Sequence, residues 1–165
     1  MKTSPIPFPP LALFALLAGI SLIHAPLRGQ EWTRFHGPNG SGISEDDSFP
    51  AKWTEKDYAW KVKLPGIGHS SPVIWGDRVF LLSADPKSAT RYIVCLSATD
   101  GKRQWVKEFT SDTHHLHSRS SYASCTPAVD ADFVYVAWST PKKTTLMALR
   151  HNGEKEWIVP RPVGF

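Results

Sequence analysis

Three imidazoles fall within four residues at His114-His115-Leu116-His117, a donor set that suits Zn²⁺ or Cu²⁺. No Asp, Glu or Cys stands at ligand spacing beside them, and Ser118-Arg119-Ser120-Ser121 follows, so the run reads as a loop. His69-Ser70-Ser71 puts an imidazole beside two hydroxyls, the raw material of acyl transfer. It lacks a Gly-x-Ser-x-Gly elbow, and Ser71-Pro72 is better read as a strand opener. Trp32 to Ser44 (WTRFHGPNGSGIS) is glycine-rich like a phosphate cradle, but no Gly-Lys-Ser/Thr follows and no strand precedes it. Asp77, Asp100 and Asp132 sit among turn residues and read as such. Asn39-Gly40-Ser41 is a glycosylation sequon by pattern alone. On these residues no catalytic, cofactor-binding or metal-binding position is assigned, and no cofactor is expected.

What could position such residues is bounded by composition. The chain has 165 residues, 41% apolar and 21% charged, enough for one ordinary domain with its own core. Two cysteines are too few for a disulfide scaffold. The formal charge is +4; with Lys2 set aside, 18 basic against 15 acidic residues leave +3, which gives no reason to expect nucleic acid. Fourteen Pro, eleven Gly and seven Trp favour turns and aromatic packing over helix.

The amino terminus has the order of a secretory leader. Lys2 supplies the positive end, and Leu11 to Ile23 (LALFALLAGISLI) is an apolar run shorter than the roughly 20 residues a spanning helix needs. A signal peptide is expected over 1–25, with Ala25 before the cut and no Cys to accept lipid; an uncleaved anchor is the alternative. Either way the remainder crosses the membrane, so a periplasmic or secreted location is expected, with no stable membrane span once the leader is removed. Export makes a Cys95–Cys125 disulfide possible, and unpaired burial is the other reading.

After an extended lead-in segment (26–56), the chain reads as strand. Val73–Trp75 and Arg78–Ser83 flank Gly76-Asp77; Arg91–Ser97 and Lys102–Phe109 flank Thr99-Asp100-Gly101. Ala128–Asp130 and Phe133–Trp138 flank Ala131-Asp132; Thr144–Leu149 and Lys155–Val159 flank Asn152-Gly153. Ala59 to Leu64 (AWKVKL) alternates and is expected to be one further strand. The units repeat: Pro72 to Pro127 is 55 residues, Leu96 to Leu149 is 53, and Trp105 to Trp157 is 52. Four short strands at a period near 50 are the pattern of a propeller blade. Val79, Phe80, Leu81 and Leu82 are consecutive, as a sheet sandwiched between two others requires. The fold class is therefore all-β: a partial β-propeller of about two four-stranded antiparallel blades (about 70–110 and 125–160) plus one extra strand, within 57–165. A two-layer sandwich or a small unrelated β domain is the alternative.

Gly68-His69 lacks the Trp-Asp of WD40 repeats, and the paired glycine of kelch repeats is absent. Leu96-Ser97-Ala98-Thr99-Asp100-Gly101-Lys102-Arg103-Gln104-Trp105 resembles the pyrroloquinoline-quinone-like (PQQ-like) repeat. Leu96, Ala98, Gly101, Lys102 and Trp105 fit that pattern, and Ser97 and Asp100 depart from it. A copy one residue shorter keeps Leu149, Gly153 and Trp157. Trp32-Thr33-Arg34-Phe35-His36-Gly37-Pro38, and Trp60 to Gly66 followed by Ser70-Ser71-Pro72, are similar to a secreted bacterial subgroup, the BamB-like proteins, compared with the outer-membrane protein assembly factor.

The resemblance implies that Trp60, Trp105 and Trp157 dock outer strands onto neighbouring blades, with repeat turns at Gly101 and Gly153. An indole docked so buries about 150–250 Å², and its N–H needs a partner. The name of the repeat comes from quinoprotein dehydrogenases that hold the quinone with Ca²⁺ on acidic and amide ligands; no acidic cluster here matches that site. The resemblance thus implies a non-enzymatic protein-binding or scaffold module with unidentified protein partners. A remnant of a PQQ-dependent alcohol dehydrogenase-like oxidoreductase is the alternative. A closed propeller of four blades needs roughly 210 residues, and 140 follow residue 25. A truncated product, a fragment or a piece that assembles with other copies is therefore expected.

Overall fold

The structure, a computed structural model, describes residues 31–46, 48 and 50–163. The leader expected over 1–25 lies outside the described residues. Two antiparallel four-stranded sheets form the body. The first runs β1 (Val73–Trp75), β2 (Arg78–Ala84), β3 (Arg91–Ser97) and β4 (Arg103–Phe109). The second runs β5 (Ala128–Val129), β6 (Phe133–Ser139), β7 (Lys143–Arg150) and β8 (Lys155–Pro162). Within each sheet, spatial order follows chain order, so every connection is a hairpin, as in consecutive propeller blades. β1 and β3 keep the expected bounds, and the other strands extend or trim theirs by one to three residues, the largest change being β8, which continues to Pro162.

The two sheets repeat each other in register. Phe80, Cys95 and Trp105 are aligned across the first, and Tyr135, Ala148 and Trp157 across the second. A bulge follows Cys95 in one and Ala148 in the other. Gly76, Gly101 and Gly153 turn three of the hairpins at φ of 58°, 69° and 84°, a region open to glycine at little steric cost. Asp130 caps the β5–β6 turn, accepting from the N–H groups of Asp132 and Phe133 at 2.9 Å each.

The core lies between the sheets. Phe80, Leu82, Ile93 and Cys95 from the first meet Val134, Val136, Met147 and Leu149 from the second. Rings cross the interface: Phe109 and Trp138 centroids are 5.6 Å apart, and Phe80 lies 5.4 Å from His151. The other face of the first sheet presents Val79, Leu81, Val94 and Leu96, covered by Trp60 and Leu64. This accounts for the unbroken burial along β2 from Val79 to Ala84.

One expected strand is corrected. Residues 59–64 are not a hydrogen-bonded strand. They cross the face of the first sheet as a layer above it, held by side chains, and a cavity of about 180 Å³ lies beneath Val62 and Leu64. Packed layers stand about 10 Å apart, beyond the roughly 4.8 Å of ladder pairing, so alternation here reports contact with a sheet rather than membership of one. The lead-in segment does pair. Trp32 bridges Ile74 at the inner edge of β1, and the Thr33 carbonyl accepts from Val129 N at 2.8 Å on β5. It thereby joins the inner edges of both sheets. Among the described residues no helix is long and apolar enough to cross a membrane.

Candidate functional site

The indoles define how one layer seats on the next. Trp60 Nε1 donates to the Ala98 carbonyl at 2.9 Å, and its ring lies on Gly101, where a Cβ would come within 2.6 Å of Trp60 Cε3. Trp105 Nε1 donates to the His151 carbonyl at 2.8 Å, and its ring lies on Gly153, where a Cβ would come within 2.9 Å of Trp105 Cδ2. Each indole thus rests on the β3–β4-type turn of the sheet that follows it. Gly153→Ala is expected to destabilise the chain by about 2–4 kcal/mol, from a left-handed φ imposed on a Cβ and from overpacking against Trp105. Urea unfolding followed by tryptophan fluorescence measures the loss.

Trp157 holds the equivalent position on β8, yet no hydrogen bond reaches its indole among the described residues, and it is 36% exposed. Around it the second sheet turns outward the same register positions that the first sheet buries. Tyr135 stands where Phe80 stands, Ala137 where Leu82 does, Leu146 where Ile93 does. Ile93 is fully buried, whereas Leu146 is 42% exposed. Burial along β6 alternates, Val134, Val136 and Trp138 inward, so its other side carries the half-buried Tyr135 and Ala137, with Ala148, in register between Tyr135 and Trp157, buried beneath them. The Tyr135 ring packs 6.2 Å from Trp157, and its hydroxyl donates to Asp130 Oδ2 at 2.9 Å. Burial pushes the Asp130 carboxyl up, but bonds from Phe133 N, Asp132 N and the Tyr135 hydroxyl outweigh it and hold its pKa below the usual value. The same bond raises that of Tyr135. The open face is therefore ordered, with its aromatic pair fixed by a turn carboxylate.

The chemistry-bearing residues are dispersed. Ser70 Oγ accepts from Leu82 N at 3.1 Å, and Ser71 N donates to Thr126 Oγ1 at 3.1 Å, tying the two Ser/Thr-Pro openers together. His69 N donates to the Ala123 carbonyl at 3.2 Å. His114 Nδ1 lies 3.2 Å from the Asp112 carbonyl, while His117 Nδ1 accepts from Arg119 N at 3.2 Å. Among the described residues no three or more His, Cys, Asp or Glu side chains group as metal ligands. Asp100 belongs to its turn: the Lys102 ammonium, the Ser97 hydroxyl and Lys102 N hold its carboxyl at a pKa of about 2. Asp77 and Asp132 likewise remain at their hairpins, the Asp77 carbonyl accepting from Ala98 N at 2.7 Å and Asp132 N reaching Asp130. The Asn39 side chain accepts from Ser41 N at 3.0 Å, closing a local turn. Cys95 and Cys125 are unpaired, the first buried, the second exposed.

No protein-family model matches the chain, and no curated protein matches it. Among solved structures, BamB from Moraxella catarrhalis is similar in part, at 23% identity and a TM-score of 0.46. The match covers 65% of this chain and 28% of that one, so the chain spans little more than a quarter of its length. The blade arrangement stands on the repeated sheets and docked indoles themselves. Tyr135 and Leu146, which carry the open face, were not singled out in the sequence. Their signal was available in the repeat alignment, which pairs them with Phe80 and Ile93.

Proposed function

We propose that this chain is an exported, non-catalytic protein-binding module of PQQ-like repeat type, which engages partners through the open face of its second sheet. One observation carries the reading: positions that are interior in the first sheet recur, apolar and solvent-facing, in the second, around an undocked Trp157. Exposed apolar faces of this kind mark interaction surfaces, and an aromatic anchor at the centre is where binding energy concentrates. Export rests on the leader read in residues 1–25. The non-catalytic reading is supported by the placement of the candidate nucleophiles and imidazoles, whose polar atoms serve strand openers and loops.

A photo-crosslinking residue at position 157 tests the reading in the producing cell, with an exposed control at position 155. A defined protein band from position 157 and none from 155 is expected, lost when Leu146→Asp is added. Equal yields from both positions would remove the open face as the contact surface. Dye-linked alcohol oxidation by the purified chain with quinone and Ca²⁺ would overturn the non-catalytic part.

A further inference from the structure

Arg91 begins β3, yet only 1% of it reaches solvent. Its Nε donates to the Tyr122 carbonyl at 2.9 Å, and its two terminal nitrogens reach the Ser139 and Ala89 carbonyls at 3.4 and 3.5 Å. Tyr122 and Trp138 place rings 5.7 and 5.3 Å from the guanidinium. No carboxylate among the described residues pairs with it. A guanidinium carries five donors and stays charged in proteins, so two N–H groups and most of a positive charge are left without an anion. Buried charge without a counter-charge is costly, and carbonyl dipoles and ring faces offset only part of that cost.

The charge borders a cleft of about 200 Å³ whose wall also includes His114, Ser120, Ser121, Ser124 and Cys125. Ser124 Oγ donates to the Ser121 carbonyl at 2.9 Å, and the Ser120 and Ser121 hydroxyls stand 3.1 and 3.4 Å from Ser124 Oγ at the same opening, able to turn to a ligand. Leu116, Ser120, Ser121 and Tyr122 also line a second cavity of about 100 Å³, together with Ile67, Ala84 and Pro86. A cationic, hydroxyl-lined chamber thus adjoins a more apolar one along a shared rim. We propose that this cleft binds a small organic carboxylate, its oxygens on Arg91 and the Ser120 and Ser121 hydroxyls, its apolar substituent against Ile67 and Leu116. Planar carboxylate geometry matches the guanidinium fork. The site stands apart from the open face of the second sheet and does not rest on the function proposed above.

Cys125 reports on occupancy. It is exposed at the cleft, whereas Cys95 is buried, with burial pushing its pKa up to about 12, so alkylation of the native chain by iodoacetamide reads Cys125. The full chain is titrated with sodium benzoate, acetate and phosphate at constant ionic strength. Benzoate is expected to slow alkylation about fivefold or more with a half-effect at low millimolar concentration, and acetate to require about tenfold more. Ile67→Glu, an exposed change on the apolar side, is expected to raise the benzoate half-effect about tenfold and leave acetate unaltered. Arg91→Lys is expected to abolish protection by both. Alkylation unaffected by about 100 mM benzoate would overturn the site. So would phosphate protecting as well as benzoate, or benzoate protection that persists in Arg91→Lys.

Discussion

Trp105→Ala is expected to lower the free energy of unfolding by about 3–5 kcal/mol, and Trp157→Ala by less than about 1 kcal/mol. The two indoles occupy the same register position, opposite Cys95 and Ala148. Trp105 packs on Phe80 at 5.9 Å, rests on Gly153 and donates to the His151 carbonyl, so its removal opens a cavity between the sheets and orphans an acceptor. Trp157 has one ring partner, Tyr135, and water on its other side. A domain of this size is stable by roughly 5–15 kcal/mol, so the first variant is left marginal and the second near wild type. Urea titration of the two proteins side by side gives the contrast; equal losses would mean that the second sheet is covered in solution.

A carboxylate placed on each sheet makes the same comparison more harshly. Ile93→Asp puts an unpaired charge into the inter-sheet core and is expected to unfold the chain, at a cost above about 4 kcal/mol. Leu146→Asp changes the equivalent position on the second sheet, where the side chain is already 42% exposed. It is expected to cost under about 1 kcal/mol and to reduce self-association at high protein concentration, because it breaks the apolar patch around Trp157. Circular dichroism and sedimentation velocity read both effects. Loss of fold in Leu146→Asp would show that the face is interior.

Much of the architecture was legible because local chemistry dictated it. Gly76-Asp77, Gly101 and Gly153 fall at hairpins whose backbone needs φ above zero, and the 52–55-residue spacing of matched Pro, Leu and Trp marked two copies of one sheet. Three features were hidden, each because burial is decided by a neighbour distant in sequence. Phe133 to Trp138 is apolar throughout, yet its burial alternates, since only one of its faces has a sheet against it. Ala59 to Leu64 alternates as a strand would, yet it lies over a sheet instead of pairing within one. Arg91 reads as the polar start of a strand, and only the loop carrying Tyr122, folded back over β3, makes it interior. His114 and His117 are close in sequence, yet their Nδ1 atoms meet different partners, the Asp112 carbonyl and Arg119 N.

The docking of each indole on the glycine turn of the following sheet is tested most directly by hydrogen exchange at the indole N–H groups, resolved by ¹⁵N-labelled tryptophan. The N–H of Trp60, bonded to Ala98, and of Trp105, bonded to His151, are expected to exchange slowly, at least about a hundredfold slower than Trp157. Fast exchange at Trp105, or protection at Trp157 equal to that at Trp105, would contradict two consecutive blades with one open face.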